Sequence, residues 1–216
     1  FTAYKGVVDY LSNISRIVNQ TKGINTSRRD FEILKINDDL QKKAIDPLIV
    51  AIQNANLDRI DQVRIAVSLV QHIPYGGFDR AVKLAIGTAD IEINVSRYPY
   101  EVLYEDEGVC EGKSELLALI LKELGYETAL FYYPNESHEA VGIACPIEYS
   151  LDGTGYCFIE TTGIAIISDS ENYYLNYGKI SHNFTLIPLY DGNILPSNLY
   201  EYKDAKTRNI IYEDIL

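Results

Sequence analysis

The sequence predicts an α+β domain built on an antiparallel sheet. Three observations carry that expectation. Apolar residues at helical spacing dominate the first half of the chain, short strand-like runs follow one another in the second half, and no strand–helix–strand alternation marks a parallel sheet. At 216 residues, with 47% hydrophobic and 23% charged, the chain is long enough for one well-buried domain, or one domain with a helical extension.

Taken in order, Val7, Val8, Leu11, Ile14, Ile17 and Val18 recur at helical spacing, as do Leu48, Ile49 and Ile52 after Pro47. These segments form an N-terminal helical extension over 1–57, ahead of a domain over 58–216. A third helix starts near Asp58, with Ile60, Val63, Ile65, Val67, Leu69 and Val70 as its apolar face. Pro74, Gly76 and Gly77 stop it within HIPYGG. From 78 to 107 the pattern is irregular, and Tyr98, Pro99 and Tyr100 read as a loop. Residues 111–124 form the clearest helix: Leu116, Leu117, Ile120, Leu121 and Leu124 make a wide apolar face, and Gly125 is its stop. Strands are expected at 128–133, 139–145 and 156–161. The last two flank SLDGTG, where Asp152 and Gly153 favour a turn. Further strands are expected at 164–167 and 184–189.

The formal net charge of -12 repels polyanions, which excludes nucleic acid and anionic membrane surfaces and points to a peptide or protein substrate. No apolar run approaches the roughly 20 residues of a membrane-spanning helix. The opening FTAYKGVVDYLS lacks the basic and apolar regions of a signal peptide. Because the chain begins at Phe1 and contains no Met, the expectation is a removed N-terminus and an extracytoplasmic or membrane-anchored location. Sequons at Asn13, Asn19, Asn25, Asn94, Asn135 and Asn183 add little weight to it.

The stretch GVCEGKSELLALILKELG, running from Gly108 to Gly125, admits two chemistries. A phosphate-binding loop needs four residues between its first Gly and the Gly-Lys-Ser, so that successive N–H groups wrap the phosphates. Only three separate Gly108 from Gly112, and Glu105, Asp106 and Glu107 would repel a nucleotide. The phosphate reading fails, and Lys113 and Ser114 become first-turn helix residues. Cys110, at the start of the same helix, faces the positive end of the helix dipole, which favours a thiolate. The bland alternative is a small buried apolar residue.

His138 and Glu160 tip that balance. His138 opens the run EAVGIAC and Glu160 lies in YCFIETT, the strand expected to pair with it. If Cys145 and Cys157 lie opposite one another, His138 stands seven residues from the first and Glu160 three from the second. Both offsets are odd, so His138 and Glu160 share one face of the sheet, opposite to the cysteines. The strict register leaves them a few residues out of line, so a bulge or a shifted pairing is expected.

The runs RYPYEVL, GVCEGKSELLALILKELGYETALFYYP, SHEAVGIA and GYCFIETTG together resemble the transglutaminase-like superfamily of cysteine enzymes, whose core is papain-like. The likeness extends from about VQHIPYGG to about GIAII and leaves the N-terminal helices and the C-terminal tail uncovered. It implies a Cys-bearing central helix packed on an antiparallel sheet, with Cys110 as nucleophile, His138 as base and acid, and Glu160 as orienter. It departs from the pattern twice: many relatives have Gly-Asp-Cys where this chain has Gly108, Val109 and Cys110, and Asp where it has Glu160. The expected reaction is acyl transfer at an amide through a Cys-His-Glu triad, hydrolysing a peptide or isopeptide bond without metal or organic cofactor. The alternatives are a transglutaminase, in which an amine replaces water, and a non-catalytic peptide- or protein-binding module on the same fold.

The remaining polar candidates have lesser roles. Gln71 is a candidate oxyanion donor beside the Cys110 backbone N–H, with an exposed helix-end amide as the alternative. His72 and His182 read as surface or capping residues. Cys145 and Cys157 read as core thiols, with a cross-strand disulfide as the alternative. Asp106, Glu107 and Glu111 read as a solvated acidic face.

Overall fold

The computed structural model describes residues 1–14, 28–55, 57–77, 80–86, 89–170, 173–174 and 178–213. Ile17 and Val18, expected in the first helix, lie outside the described residues. The architecture is mixed α+β, with seven helices among the described residues and a four-stranded antiparallel sheet.

Helix α1 (Lys5–Asn13) buries Val8 and Leu11. Helix α2 (Arg28–Ile36) buries Glu32, Lys35 and Ile36; with two charged residues on its inner face, no apolar stripe announces it in the sequence. Helix α3 (Asp39–Gln53) begins well before Pro47, the expected start, and carries that proline in its interior. The Asp38 carboxylate caps it, accepting from the backbone N–H of Leu40 at 3.0 Å and Gln41 at 2.9 Å. An interior proline costs about 3 kcal/mol. Burial of Ile45, Leu48, Ile49 and Ile52 around it offsets that loss.

Helix α4 (Arg59–His72) starts as expected at Asp58, whose carboxylate accepts from Ile60 at 2.9 Å and Asp61 at 2.8 Å. Within the stretch read as irregular, the described residues form regular elements. Strands β1 (Arg80–Ile86) and β2 (Ala89–Val95) form an antiparallel hairpin. Helix α5 (Pro99–Glu105) replaces the expected loop. Pro99 is its first residue, where a missing N–H costs nothing, and the Glu101 side chain accepts from the Tyr98 N–H at 2.8 Å. The Tyr-Pro-Tyr run therefore marks a helix start.

Helix α6 (Cys110–Glu123) is the centre of the fold, with every residue from Gly112 to Leu121 buried. Gly125, at φ +88°, ends it in the left-handed conformation that glycine adopts without strain. Against it packs a sheet of β3 (Thr128–Tyr133), β4 (His138–Ala144), β5 (Tyr156–Ile159) and, after the short pair β6 (Tyr173–Tyr174) and β7 (Gly178–Lys179), β8 (Thr185–Tyr190). The order is β5-β4-β3-β8, antiparallel throughout. Leu130, Val141, Ile143, Ile159 and Ile187 share one core with α6 and with the apolar faces of α1, α3 and α4, so the N-terminal helices are continuous with the sheet domain in packing. Phe131, Tyr133, Ala140 and Phe158 form a second cluster on the other face.

The expected turn is present and one strand expectation changes. SLDGTG contains a 3-10 turn, Leu151–Gly153, with Asp152 and Gly153 both at positive φ, and a second such turn, Ile147–Tyr149, precedes it. Residues 164–167 form no strand: their neighbourhood is held at single points, with Ser168 N–H donating to Phe158 O at 2.8 Å and the Gln71 amide to Ala165 O at 3.0 Å. Helix α7 (Tyr200–Glu213) closes the chain. Arg64 of α4 grips Glu201 at 2.6 and 3.1 Å, and the Tyr202 ring stacks on Tyr149 at 4.1 Å. No helix among the described residues is long and apolar enough to cross a membrane.

Candidate active site

The site forms where the start of α6 meets the first residue of β4 and the segment leaving β5. Cys110 is the first residue of α6, with Val109 as N-cap. The loop before it is set by backbone pairing with the HIPYGG segment: Gly108 N–H donates to Pro74 O at 3.2 Å, and Gly76 N–H to Gly108 O at 3.3 Å. A Cβ at position 108 would stand 2.9 Å from Val102 Cγ1 and 3.1 Å from Lys113 Cγ, so glycine is needed for close approach. One turn into the helix, the Ser114 hydroxyl lies 3.0 Å from both Glu139 O and Thr161 Oγ1. It ties α6 to β4 and to the β5 exit, and so fixes Cys110 relative to both.

His138 and Glu160 meet across those two strands. The His138 Nε2–H donates to Glu160 Oε2 at 2.8 Å, with both side chains fully buried. The register explains why. Cys157 faces Ile143 and Ile159 faces Val141, a shift of two residues from a pairing that sets Cys145 against Cys157. A two-residue shift preserves side-chain parity, so His138 and Glu160 keep a common face. Continued past Ile159, the register sets Glu160 opposite Ala140, diagonal to His138. The same shift leaves Cys145 and Cys157 diagonal, and they form a disulfide with Cα atoms 5.7 Å apart, in place of the expected core thiols. Cys110 is the free cysteine.

Glu160 is held as a buried anion. Oε1 accepts from Thr161 N–H at 2.9 Å, Thr162 N–H at 2.8 Å and Thr162 Oγ1 at 2.8 Å. Burial would raise its pKa, but the His138 hydrogen bond and charge, with the Thr162 donors, hold it below the ordinary carboxylate value. For His138, burial alone would lower the pKa. Hydrogen bonds to Cys110 and Glu160, and the charges on both, outweigh that and raise it to about 9. With Nε2 on Glu160, Nδ1 is the ring nitrogen left for the Cys110 thiol. The Cys110 Sγ also lies 3.9 Å from Ser137 O. Tyr133, whose ring centroid is 6.0 Å from that of His138, covers the pair with Phe158 behind it.

Gln71 is close but differently employed. Its side-chain amide donates to Glu160 O at 2.9 Å and Ala165 O at 3.0 Å. Both amide hydrogens are thereby engaged, leaving none for an oxyanion; Gln71 braces the backbone that carries the acid. Beside it stands Lys113, a first-turn residue of α6 as expected, with its side chain fully buried. The Lys113 ammonium donates to Ile73 O at 2.5 Å and lies 3.5 Å from Gln71 O, the carbonyls at the end of α4. Burial lowers its pKa to about 8, against the opposing pull of the Glu160 charge. His72 and His182 lie apart from the site, exposed, with Nδ1 bonded to Ser68 O at 2.7 Å and to Asp152 Oδ1 at 2.8 Å.

A pocket of about 180 Å³ opens on Cys110 and His138 and is lined also by Arg28, Glu111, Tyr132, Ser137 and Glu139. Sequence reasoning missed this wall. Glu139 is adjacent to His138, a signal that could have been followed, but Arg28 comes from α2 and no local pattern links it to the site. The Arg28 guanidinium lies 3.7 Å over the Tyr132 ring and bonds Glu139 Oε2 at 3.0 Å. Glu111 is not part of a solvated face: it accepts from Ser96 Oγ at 2.9 Å and stands 3.7 Å from the buried Lys35 ammonium. Glu32, Glu111 and Glu115 each bring a carboxylate oxygen within 4.8 Å of the others, a spacing that could hold a metal ion. Lys35 already serves these carboxylates, at 2.7 Å from Glu115, and their charges raise its pKa against the effect of burial. No protein-family model matches the chain, and a search of curated proteins returns no significant match.

Proposed function

We propose that the protein is a cysteine-dependent acyl-transfer enzyme that hydrolyses a peptide or isopeptide amide, on a papain-like, transglutaminase-like core. The observation that carries the reading is the buried His138–Glu160 pair at 2.8 Å, set beside a free thiol at the first position of the central helix. Burying these two groups costs desolvation that hydrogen bonds must offset, and four donors are committed to Glu160 to hold it beside the ring.

In the proposed reaction the Cys110 thiolate attacks the amide carbonyl, forming a C–S bond. The His138 imidazolium gives its Nδ1 proton to the leaving nitrogen as the C–N bond breaks. Water then attacks the thioester; its proton returns to His138, and the carbon–sulfur bond breaks to release the acid and restore the thiolate. Glu160 holds the ring orientation and its charge throughout. The first-turn N–H groups of α6, which have no partner within the helix, are the oxyanion donors in this scheme, with Cys110 N–H foremost. The Cys145–Cys157 disulfide favours an oxidising compartment.

The test is the pH dependence of Cys110 alkylation by iodoacetamide with the disulfide intact, so that one thiol reports. Reaction that stays fast below the ordinary thiol value of about 8.5, and collapses in His138→Ala, supports the thiolate–imidazolium pair. Slow alkylation with an ordinary thiol profile in both proteins overturns the reading.

A further inference from the structure

The pocket beside Cys110 carries more carboxylates than the cations around it can serve. Glu111 and Glu139 line it, and Glu32 and Glu115 lie next to them, against two cations among the described residues, Arg28 and Lys35. Lys35 is taken by Glu115 and Ser96. Arg28 is taken by Glu139 Oε2 at 3.0 Å, by Glu32 Oε1 at 3.5 Å and by the Tyr132 ring. That leaves the second oxygen of Glu139: Oε1 is buried, in a side chain lining the pocket, and has no hydrogen-bond partner among the described residues. Burial and the charges of Glu32 and Glu111 push the Glu139 carboxyl well above the ordinary value, against the pull of Arg28; a further cation at Oε1 is what holds it ionised, and a buried acceptor left without a donor costs roughly 1–3 kcal/mol.

Resting on the acyl-transfer reading for its place in catalysis, we propose that this pocket is a subsite for a cationic side chain of the substrate, an alkylammonium of lysine type. Glu139 Oε1 and the Glu111 carboxylate receive the ammonium. A volume of about 180 Å³ accommodates several heavy atoms beside the thiol. An anionic group is disfavoured: among the described residues the cations lining the pocket, Arg28 and the His138 imidazolium of the proposed reaction, are already engaged by Glu139, Glu32 and Glu160, and an anion would meet the Glu111 carboxylate at close range. The N-terminal helices thus supply a specificity element, since Arg28 of α2 fixes the orientation of Glu139 and leaves Oε1 for the ligand.

The probe is the Cys110 thiol itself, modified by 2-aminoethyl (cationic), 2-sulfonatoethyl (anionic) and methyl methanethiosulfonate. In each reaction the thiolate attacks the sulfenyl sulfur, a disulfide bond forms, the bond to the sulfonyl sulfur breaks, and methanesulfinate leaves with the electron pair. At about 0.15 M salt the screening length is about 8 Å, so distant charges of this acidic chain contribute little. The cationic-to-anionic rate ratio should exceed that of N-acetylcysteine by about tenfold, the scale of a partly screened charge contact. It should fall toward the N-acetylcysteine ratio in Glu139→Gln and in Glu111→Gln. Glu111 is only half-buried, so its variant carries the comparison if Glu139→Gln does not fold. A ratio equal to that of N-acetylcysteine, or one unchanged by the variants, overturns the subsite. The two proposals fail separately: slow reaction with neutral iodoacetamide sinks acyl transfer but leaves the ratio readable, whereas fast neutral reaction without charge preference sinks the subsite alone.

Discussion

Replacing Glu160 by Gln should return His138 toward, or below, the ordinary imidazole value. In the parent, the rise from about 6.5 to about 9 corresponds to about 3 kcal/mol of preference for the imidazolium, at 1.36 kcal/mol per tenfold. That preference persists although burial of the ring works against it, so the Cys110 and Glu160 contacts together supply more than the net figure. Glu160 is one of those two partners, so removing its charge should withdraw at least about half of the net preference. The ring should then titrate more than about one pH unit lower. The fold should tolerate the change: the Gln oxygen can still accept from Thr161 and Thr162, and its amide can donate to a neutral imidazole. The assay is NMR titration of the imidazole Cε1–H signals. The chain has three histidines, and His138 is identified by its loss in His138→Ala. Stability should follow the same sign. A group whose folded pKa lies above its unfolded value of about 6.5 contributes stability that is full below that value and is lost as the pH rises through about 9. In the variant the upper edge of that window moves down. A parent His138 that titrates at the ordinary value, or a titration unmoved by Glu160→Gln, refutes the argument.

Gln71→Ala should leave the buried carbonyl of Glu160 and the part-buried carbonyl of Ala165 without their amide donor. The expected cost is roughly 1–3 kcal/mol in denaturant unfolding, with slower Cys110 alkylation at pH 7; unchanged stability and rate would show that the brace is dispensable. Cys145→Ser with Cys157→Ser removes a link of sequence separation 12 between β4 and the β5 edge strand. Loop-closure entropy puts the loss at about 2–3 kcal/mol, readable as a lower denaturation midpoint; a midpoint within error of the parent's would show that the sheet holds this register without the link.

Several parts of the fold and site were legible because their signals act over a few residues. Asp58 announced α4, the apolar face from Leu116 to Leu124 announced α6, and short strand-like runs, two of them flanking the SLDGTG turn, announced β3, β4 and β5. The parity of His138 and Glu160 was legible too, since an odd offset from paired positions survives any two-residue slip. Pro99 misled because the same residue serves a loop or the first turn of a helix, and only the Glu101 capping contact distinguishes them.

An α+β order of elements, a cysteine at the head of the central helix, and a histidine and a glutamate on one face of adjacent strands were all readable from the chain alone. The pairing of Cys145 with Cys157, the engagement of Gln71 by Glu160, the burial of Lys113 and the acidic pocket closed by Arg28 emerge from packing. The reason is physical. Caps and periodicity are satisfied within a turn or a strand, whereas Arg28 and Glu139 stand 111 residues apart and meet only after packing has fixed which helix crosses which edge of the sheet.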